Sequence, residues 1–123
     1  MSTNTAIHDS DTIEAITPYQ VITLLLDGAL ERIDQAIASV SEGDLDEASV
    51  LVQKTMKIVS GLRESLNLNQ GGDIATNLEA LYNYILTRLE SIGTDAPLTT
   101  LTEVKQLLSE VHSGWVGISD EVS

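Results

Sequence analysis

Apolar residues recur at steps of three and four along four long segments of this chain, and that spacing is the period of an α-helix. No segment shows the alternation of apolar and polar residues that is typical of a β-strand. The pattern therefore predicts an all-α chain of four amphipathic helices. The four apolar stripes are Ile22, Leu25 with Leu26, Ala29, Ile33, Ala36 and Val40; Ala48, Val52, Thr55, Val59, Leu62 and Leu66; Ile74, Leu78, Leu81, Ile85, Leu89 and Ile92; and Leu101, Val104, Leu108, Val111, Trp115 and Ile118.

Helix-start signals precede each stripe. Pro18 suits the first position of a helix, and Glu103 stands three residues after a threonine, as a capping box requires. The connections are then only about 2 to 8 residues long, so that consecutive helices must run antiparallel. These features predict an antiparallel four-helix bundle. The predicted N-cap residues are Thr17, Asp44, Asp73 and, for the fourth helix, Thr99 or Thr100.

A length of 123 residues is typical of one domain. We expect residues 1–16 to form an N-terminal arm, either loose or a short extra helix, because they contain one small apolar patch. Residues 17–119 are expected to form the bundle, and residues 120–123 a C-terminal tail.

Charge and cysteine content exclude several classes of function. Six Lys and Arg residues stand against nineteen Asp and Glu, a net charge of −13, which disfavours nucleic acid and anionic membrane surfaces as partners. The absence of cysteine excludes disulfides, thiol catalysis and iron–sulfur ligation. The N-terminus lacks the features of a signal peptide, and residues 24–26, the longest apolar run, are too short to span a bilayer. We therefore expect a cytoplasmic protein without membrane insertion.

The sequence contains no constellation that predicts catalysis, cofactor binding or metal binding. Di-iron bundles carry Glu three residues before an inward His, whereas Ser109 precedes His112 here and His8 lies in the arm. Asp27 and Glu31 share a helix face, but a solvated pair explains them better than an acid–base pair. We expect a protein that is not an enzyme and has no cofactor.

Three of the helices have more apolar residues than a bundle core needs. Two interpretations fit this surplus. It is either a wide core with scattered exposed apolar side chains, or a groove that receives an apolar segment of a partner. The surplus residues are Val21, Leu24, Val50, Leu51, Met56, Ile58, Tyr82, Tyr84 and Leu86.

Four blocks of sequence, in their order and spacing, resemble the flagellar secretion chaperone FliS family. They are residues 17–20 (TPYQ), 25–30 (LLDGAL), 61–66 (GLRESL) and 71–89, which begins GGDIATNLEALYNY. Trp115 also matches a late position of that family. The resemblance covers most of the chain.

The resemblance implies a non-enzymatic helical bundle of the bacterial cytoplasm that binds the C-terminal segment of flagellin. Such proteins prevent premature polymerisation of flagellin and aid its delivery to the flagellar type III export apparatus. Partners in the export apparatus or among flagellar regulatory proteins are also implied. A self-associating structural bundle and a metal-binding bundle are the alternatives. The residues expected to contact the client are Leu51, Met56, Ile58, Tyr84 and Leu86.

Some positions depart from the family pattern or have a structural interpretation. Leu26 stands where an aromatic residue is common, and the arm has no Tyr, only Ile7, Ile13 and Ile16, with which to pack onto the bundle. For the family residues Gly28 and Asn77 we expect structural roles: close approach of a neighbouring backbone at Gly28, and a hydrogen bond to a nearby helix or loop from Asn77.

Overall fold

The structure is a computed structural model that describes residues 18–69, 72–92 and 96–122. The described residues form four helices and no strand, which confirms the prediction of an all-α bundle. The expected arm, residues 1–16, lies outside the described residues, whereas the last helix continues past position 119. The helices are α1 (Pro18–Ser41), α2 (Leu45–Asn69), α3 (Gly72–Glu90) and α4 (Pro97–Val122).

The four helices form a ring in which each contacts two neighbours. Helix α1 packs against α2 and α4, and α3 packs against the same two helices, whereas no Cα atoms of the described diagonal pairs, α1 with α3 and α2 with α4, lie within 8 Å of each other. The α1–α2 contact is the most extensive and the α3–α4 contact is the least. Cross-helix pairs show that α1 and α4 are antiparallel, because the residue number rises along α1 as it falls along α4. These pairs are Tyr19–Trp115, Asp27–His112 and Asp34–Lys105.

Two predicted helix starts agree with the structure. Pro18 is the first residue of α1, while its predicted cap Thr17 lies outside the described residues. Asp44 caps α2, because its Oδ1 accepts a hydrogen bond of 3.0 Å from the Glu47 amide. This bond satisfies one of the amide groups that have no partner within the helix.

We expect Asp44→Ala to lower the free energy of unfolding by about 1 kcal/mol, because the Glu47 amide would lose its acceptor. Urea unfolding followed by circular dichroism measures the change. Asp46→Ala, in the first turn of the same helix but outside this bond, is the matched control. Equal losses from both substitutions would contradict the capping role.

Two other predicted starts are wrong by a few residues. Helix α4 begins at Pro97, and the Thr100 amide already donates to the Ala96 carbonyl, so Thr100 lies within the helix. Proline at the first helical position suits the start of a helix better than the capping box proposed from sequence. Helix α3 begins at Gly72, whose φ of 66° is easy only for glycine, and Asp73 lies in its first turn.

The core is aliphatic except for Tyr82, and on α3 and α4 it is enclosed at one end of the bundle. Among the side chains that the structure describes, those buried on α3 are confined to residues 82–89 and those buried on α4 to residues 100–108. These two stretches meet where α3 ends and α4 begins. Ile74, predicted as a core residue, is 65% exposed, which corrects that part of the α3 stripe. The core residues are Ile22, Leu26, Ala29, Ile33, Ala36, Leu51, Val52, Val59, Leu62, Tyr82, Ile85, Leu86, Leu89, Leu101, Val104 and Leu108.

Candidate partner-binding groove

Half-buried and exposed apolar side chains lie on α3 and α4 beyond the stretches in which these two helices are buried. We call this surface the α3–α4 groove. All but Leu107 belong to the predicted core stripes, yet each of these side chains is half-buried or exposed. The groove is formed by Ile74, Leu78 and Leu81 of α3 and by Leu107 and Val111 of α4.

A polar cluster closes the groove at its other end. We call it the clamp. The Arg88 Nε donates a hydrogen bond of 2.8 Å to Glu103 Oε1, and its Nη2 donates one of 3.2 Å to the Thr100 hydroxyl. The Tyr84 hydroxyl donates to the second Glu103 oxygen at 2.8 Å. Both members of the mistaken capping box, Thr100 and Glu103, therefore bond to α3 instead.

The clamp depends on ionised Glu103. The hydrogen bond from Tyr84, and after it the one from Arg88, lowers the pKa of the Glu103 carboxyl. The bond between Tyr84 and Glu103 also raises the pKa of the Tyr84 hydroxyl. Because the pKa of Glu103 is lowered in the folded protein, the ionised carboxylate and its hydrogen bonds stabilise the fold at neutral pH. This stabilisation is lost as the pH falls through the lowered pKa of the folded protein.

The clamp also sets the register of the groove. Arg88 meets Thr100 and Tyr84 meets Glu103, so α3 and α4 are antiparallel. Continued toward the start of α3, that register places Leu81 near Leu107, with Leu78 nearer to Val111. The groove residues are spaced by four and three on α3 and by four on α4, which gives two facing rows of apolar side chains. Such a surface can take up apolar side chains of an extended or helical segment.

The five residues predicted as client contacts do not converge on this groove. Leu51 and Leu86 belong to the buried core, and Tyr84 is 45% exposed beside the clamp. Met56 and Ile58 are half-buried, on opposite edges of α2. Met56 lies two turns before Arg63, which bonds Asn83 of α3, whereas Ile58 lies beside Gly28 of α1.

Two other expectations from the family resemblance have clear outcomes. A Cβ placed on Gly28 would meet the side chains of Ile58 at 3.7 Å and Arg32 at 3.8 Å, so no backbone approaches closely and the expectation is wrong. The Asn77 side chain is exposed and makes no hydrogen bond to another described residue, so the expected bond is not confirmed. It lies one turn before Leu81, on the edge of α3 that carries the clamp residue Tyr84.

Aromatic and polar contacts join α1 to α4 at the open end. The Trp115 indole N–H donates to the Tyr19 carbonyl at 2.9 Å, and the two rings lie 5.2 Å apart. His112 Nε2 lies 2.7 Å from Asp27 Oδ1, so the Asp of the family's Asp-Gly pair contacts α4. Tyr19, His112 and Trp115 therefore attach α4 to α1 and leave its other edge facing the groove.

Within the described residues, no group of three or more metal-ligating side chains is close enough to hold an ion. None of the described helices combines the length and the apolar content that crossing a bilayer requires.

The sequence was compared with known protein families. The profile of the family described as "Flagellar protein FliS" matches residues 1–122. The chain belongs to the FliS family. This result confirms the resemblance found in residues 17–20, 25–30, 61–66 and 71–89.

Named members of the FliS family align over most of this chain. Flagellar secretion chaperone FliSB of Pseudomonas aeruginosa is 42% identical over 102 residues, which are 83% of this chain and 81% of that protein. Flagellar secretion chaperone FliS of Salmonella typhimurium is 32% identical over 112 residues, 90% of this chain and 83% of its own length. The protein of that name from Vibrio cholerae is 28% identical over 109 residues, 89% of this chain and 80% of its own. These names support a chaperone role in flagellar export, which is not an enzymatic activity.

The apolar period does not locate the groove, because four of its five residues also fit the predicted core stripes. One signal could have located it. Residues 72–80 contain only two large apolar side chains, Ile74 and Leu78, whereas residues 81–89 contain four and two Tyr. A single apolar ridge cannot contact both neighbouring helices, and it therefore stays partly open to solvent.

Proposed function

We propose that this protein is a cytoplasmic export chaperone that binds the C-terminal segment of flagellin. In this role it prevents premature polymerisation and aids delivery of flagellin to the flagellar type III export apparatus. The observation that carries the proposal is an open apolar groove in a member of the FliS family. The relatives' names supply the export role, and the flagellin client follows from the family resemblance.

The α3–α4 groove suits an apolar client segment for a physical reason. All of its side chains except that of Ile74 pack against the core behind them, so that little ordering of the chaperone opposes binding. Burial of client side chains contributes about 25 cal/mol for each Å² of apolar surface, and ordering of the client opposes it. The net charge of −13 keeps chaperone molecules apart while the groove is open.

The residues predicted from sequence fit this proposal unequally. Tyr84 borders the groove at the clamp, and Met56 offers a contact to a client that continues past α3 toward α2. Leu51 and Leu86 lie in the core and would support the surface from behind. Ile58 faces α1, so a client that reaches it must wrap around α2.

Calorimetric titration with a peptide of the flagellin C-terminal segment tests the proposal. We expect saturable binding at micromolar concentration, a gain of helical circular dichroism and one client per chaperone by light scattering. A scrambled peptide controls for nonspecific binding. Absence of heat and of helix gain would overturn the proposal, and assembly of the protein without client would favour the self-associating structural bundle.

Ile74→Glu should weaken the peptide at least about tenfold, since it puts a charge into the groove. Leu45→Glu is a matched control, because both residues are highly exposed and lie near the start of a helix, where Glu is well tolerated. We expect the control to change affinity by less than about twofold. Equal affinities in the two variants would place the client elsewhere on the bundle.

A further inference from the structure

The clamp defines the two edges along which α3 and α4 face each other. The Tyr84 hydroxyl on α3 donates to Glu103 Oε2 on α4 at 2.8 Å. Seven residues are close to two full helical turns, so that residues seven positions away lie on the same edges. These are Asn77, before Tyr84, and Glu110, after Glu103. Because the helices are antiparallel, both steps lead into the α3–α4 groove, and we call Asn77 and Glu110 the rim pair.

The rim pair does not join the two helices as the clamp does. The Tyr84 side chain is long enough to reach α4, whereas Asn77 has a short side chain that makes no hydrogen bond to another described residue. Glu110 accepts a hydrogen bond of 3.3 Å from the Gln106 amide, which is neutral and belongs to the same helix. Both residues of the rim pair are exposed. Their polar groups are therefore accessible to a segment that lies in the groove.

The cations of α3 and α4 have partners away from the rim pair. Arg88 lies on the groove edge of α3, but its guanidinium bonds within the clamp. Lys105 pairs with Asp34 of α1 at 2.8 Å, on the side of α4 away from the groove. His112 contacts Asp27 of α1 on that same side. Neither helix therefore supplies a cation to the rim pair.

The remaining cations of the chain lie on α1 and α2. Arg32 bonds a carbonyl of its own helix, and Arg63 bonds α3 on its α2 side. Lys54 and Lys57 lie on α2, which has no described Cα atom within 8 Å of α4. Together with the two on α3 and α4, these are all six Lys and Arg residues of the sequence. A cation for the groove must therefore come from another molecule.

Two carboxylates on the groove edges have no cationic partner. One is Glu110, and the other is Asp73, one turn before Asn77 on α3. Both are exposed, and no ion pair joins either of them to a described residue. Asp73 lies in the first turn of α3, where the helix dipole stabilises an anion, whereas Glu110 lies in the middle of α4. Glu110 is therefore the group that gains most from a cation of a bound segment.

We propose that the α3–α4 groove selects segments in which Lys or Arg flanks the apolar side chains, with Glu110 as the residue that determines this preference. The inference rests on the proposed function, in which this groove is the client site. Apolar side chains of the segment would contact Leu107 and Val111, and a cation beside them would pair with the Glu110 carboxylate. Asn77, on the opposite edge, has a donor and an acceptor for the backbone of the same segment.

Charge distinguishes this occupant from others. An acidic segment would meet Asp73 and Glu110 and would be repelled. A second copy of the chain has a net charge of −13 and is disfavoured for the same reason. Residues 1–17 contain three acidic residues and no Lys or Arg, so that they offer no such partner to Glu110. A basic apolar segment of another protein matches both the apolar side chains and the carboxylates.

Calorimetric titration of the full-length protein with two designed peptides tests the proposal. Both peptides have the same leucine stripe, which is flanked by lysines in one and by glutamates in the other. We expect the lysine peptide to bind at least about tenfold more tightly. Amide shifts of the ¹⁵N-labelled protein should centre on Asn77, Leu107 and Glu110. Equal affinities for the two peptides, or shifts confined to other parts of the bundle, would overturn the proposal.

Glu110→Lys separates the effect of this position from that of the net charge. It should weaken the lysine peptide about tenfold and strengthen the glutamate peptide, because the charge at the groove edge is reversed. Glu31→Lys makes the same change at an exposed position of α1 and is the matched control, expected within about twofold of the wild type. Glu110→Gln, which keeps the size of the side chain, should weaken the lysine peptide by a smaller factor than Glu110→Lys. Equal weakening by the two charge reversals would show that net charge alone acts and would overturn the proposal.

The peptide of the flagellin C-terminal segment separates this inference from the proposed function. If that peptide does not bind while the lysine peptide binds in a manner that depends on Glu110, the flagellin client is wrong and the charge preference of the groove stands. If the flagellin peptide binds while Glu110→Lys and Glu31→Lys weaken the lysine peptide equally, the charge preference is wrong and the chaperone function stands. Nuclear Overhauser contacts between Leu107 and residues 1–17 that persist with saturating lysine peptide would also overturn the proposal.

Discussion

Leu26→Ala is expected to lower the free energy of unfolding by about 2 to 5 kcal/mol, because it removes a fully buried side chain from the core. Leu26 lies on the face of α1 that carries Ala29 and Ile33, and its side chain has no exposed surface. The cavity left behind would be lined by aliphatic side chains that cannot collapse fully. A loss of this size is a large fraction of the total stability of a small domain.

Leu24→Ala is the control for that substitution. It makes the same chemical change two residues away, at a side chain that is 61% exposed, so we expect a change of less than about 0.5 kcal/mol. Urea unfolding followed by circular dichroism measures both variants. A similar loss in the two would mean that the orientation of α1 in the bundle is not the one described.

Alkaline pH is expected to destabilise the protein through Tyr82. Burial raises the pKa of this phenol from 10.0 to about 12, because the phenolate would lose its hydration in the core. As the pH rises above 10.0, the unfolded chain releases the proton while the folded chain still holds it, so stability falls. The full effect of about 3 kcal/mol develops as the pH approaches 12.

Tyr82→Phe separates this effect from the titration of other groups. The variant keeps the ring in the core but has no proton to lose, so its stability should fall less steeply above pH 10 than that of the wild type. Urea unfolding measured at several pH values for both proteins gives the two slopes. Parallel curves would contradict the raised pKa.

The helical architecture could be predicted from sequence because the apolar period is strong in all four segments. Asp44 was also predictable, since an N-cap needs only a short polar side chain and a nearby amide. Periodicity shows which side of a helix faces its neighbours, but not how far along its length the neighbours cover it. Ile74 and Leu78 are on the expected side of α3, yet they lie where coverage ends.

The start of α4 shows a second reason why sequence patterns predict the structure incompletely. Thr100 and Glu103 have the spacing of a capping box, but Pro97 begins the helix earlier and leaves both residues inside it. Their side chains then bond Arg88, which is close only in the folded chain. The sequence does not show this competition, because the outcome depends on contacts between residues distant along the chain. For the same reason Leu51 and Leu86, which looked like surplus apolar surface, proved to be core.

The clamp limits the length of any segment that the α3–α4 groove can hold. From Ile74 to Leu81 the axis of α3 advances about 10 Å, at about 1.5 Å for each residue. That distance accommodates about two turns of helix or three extended residues before Tyr84 and Arg88 close the path. A longer client must therefore leave the groove sideways at the clamp and continue over another side of the bundle.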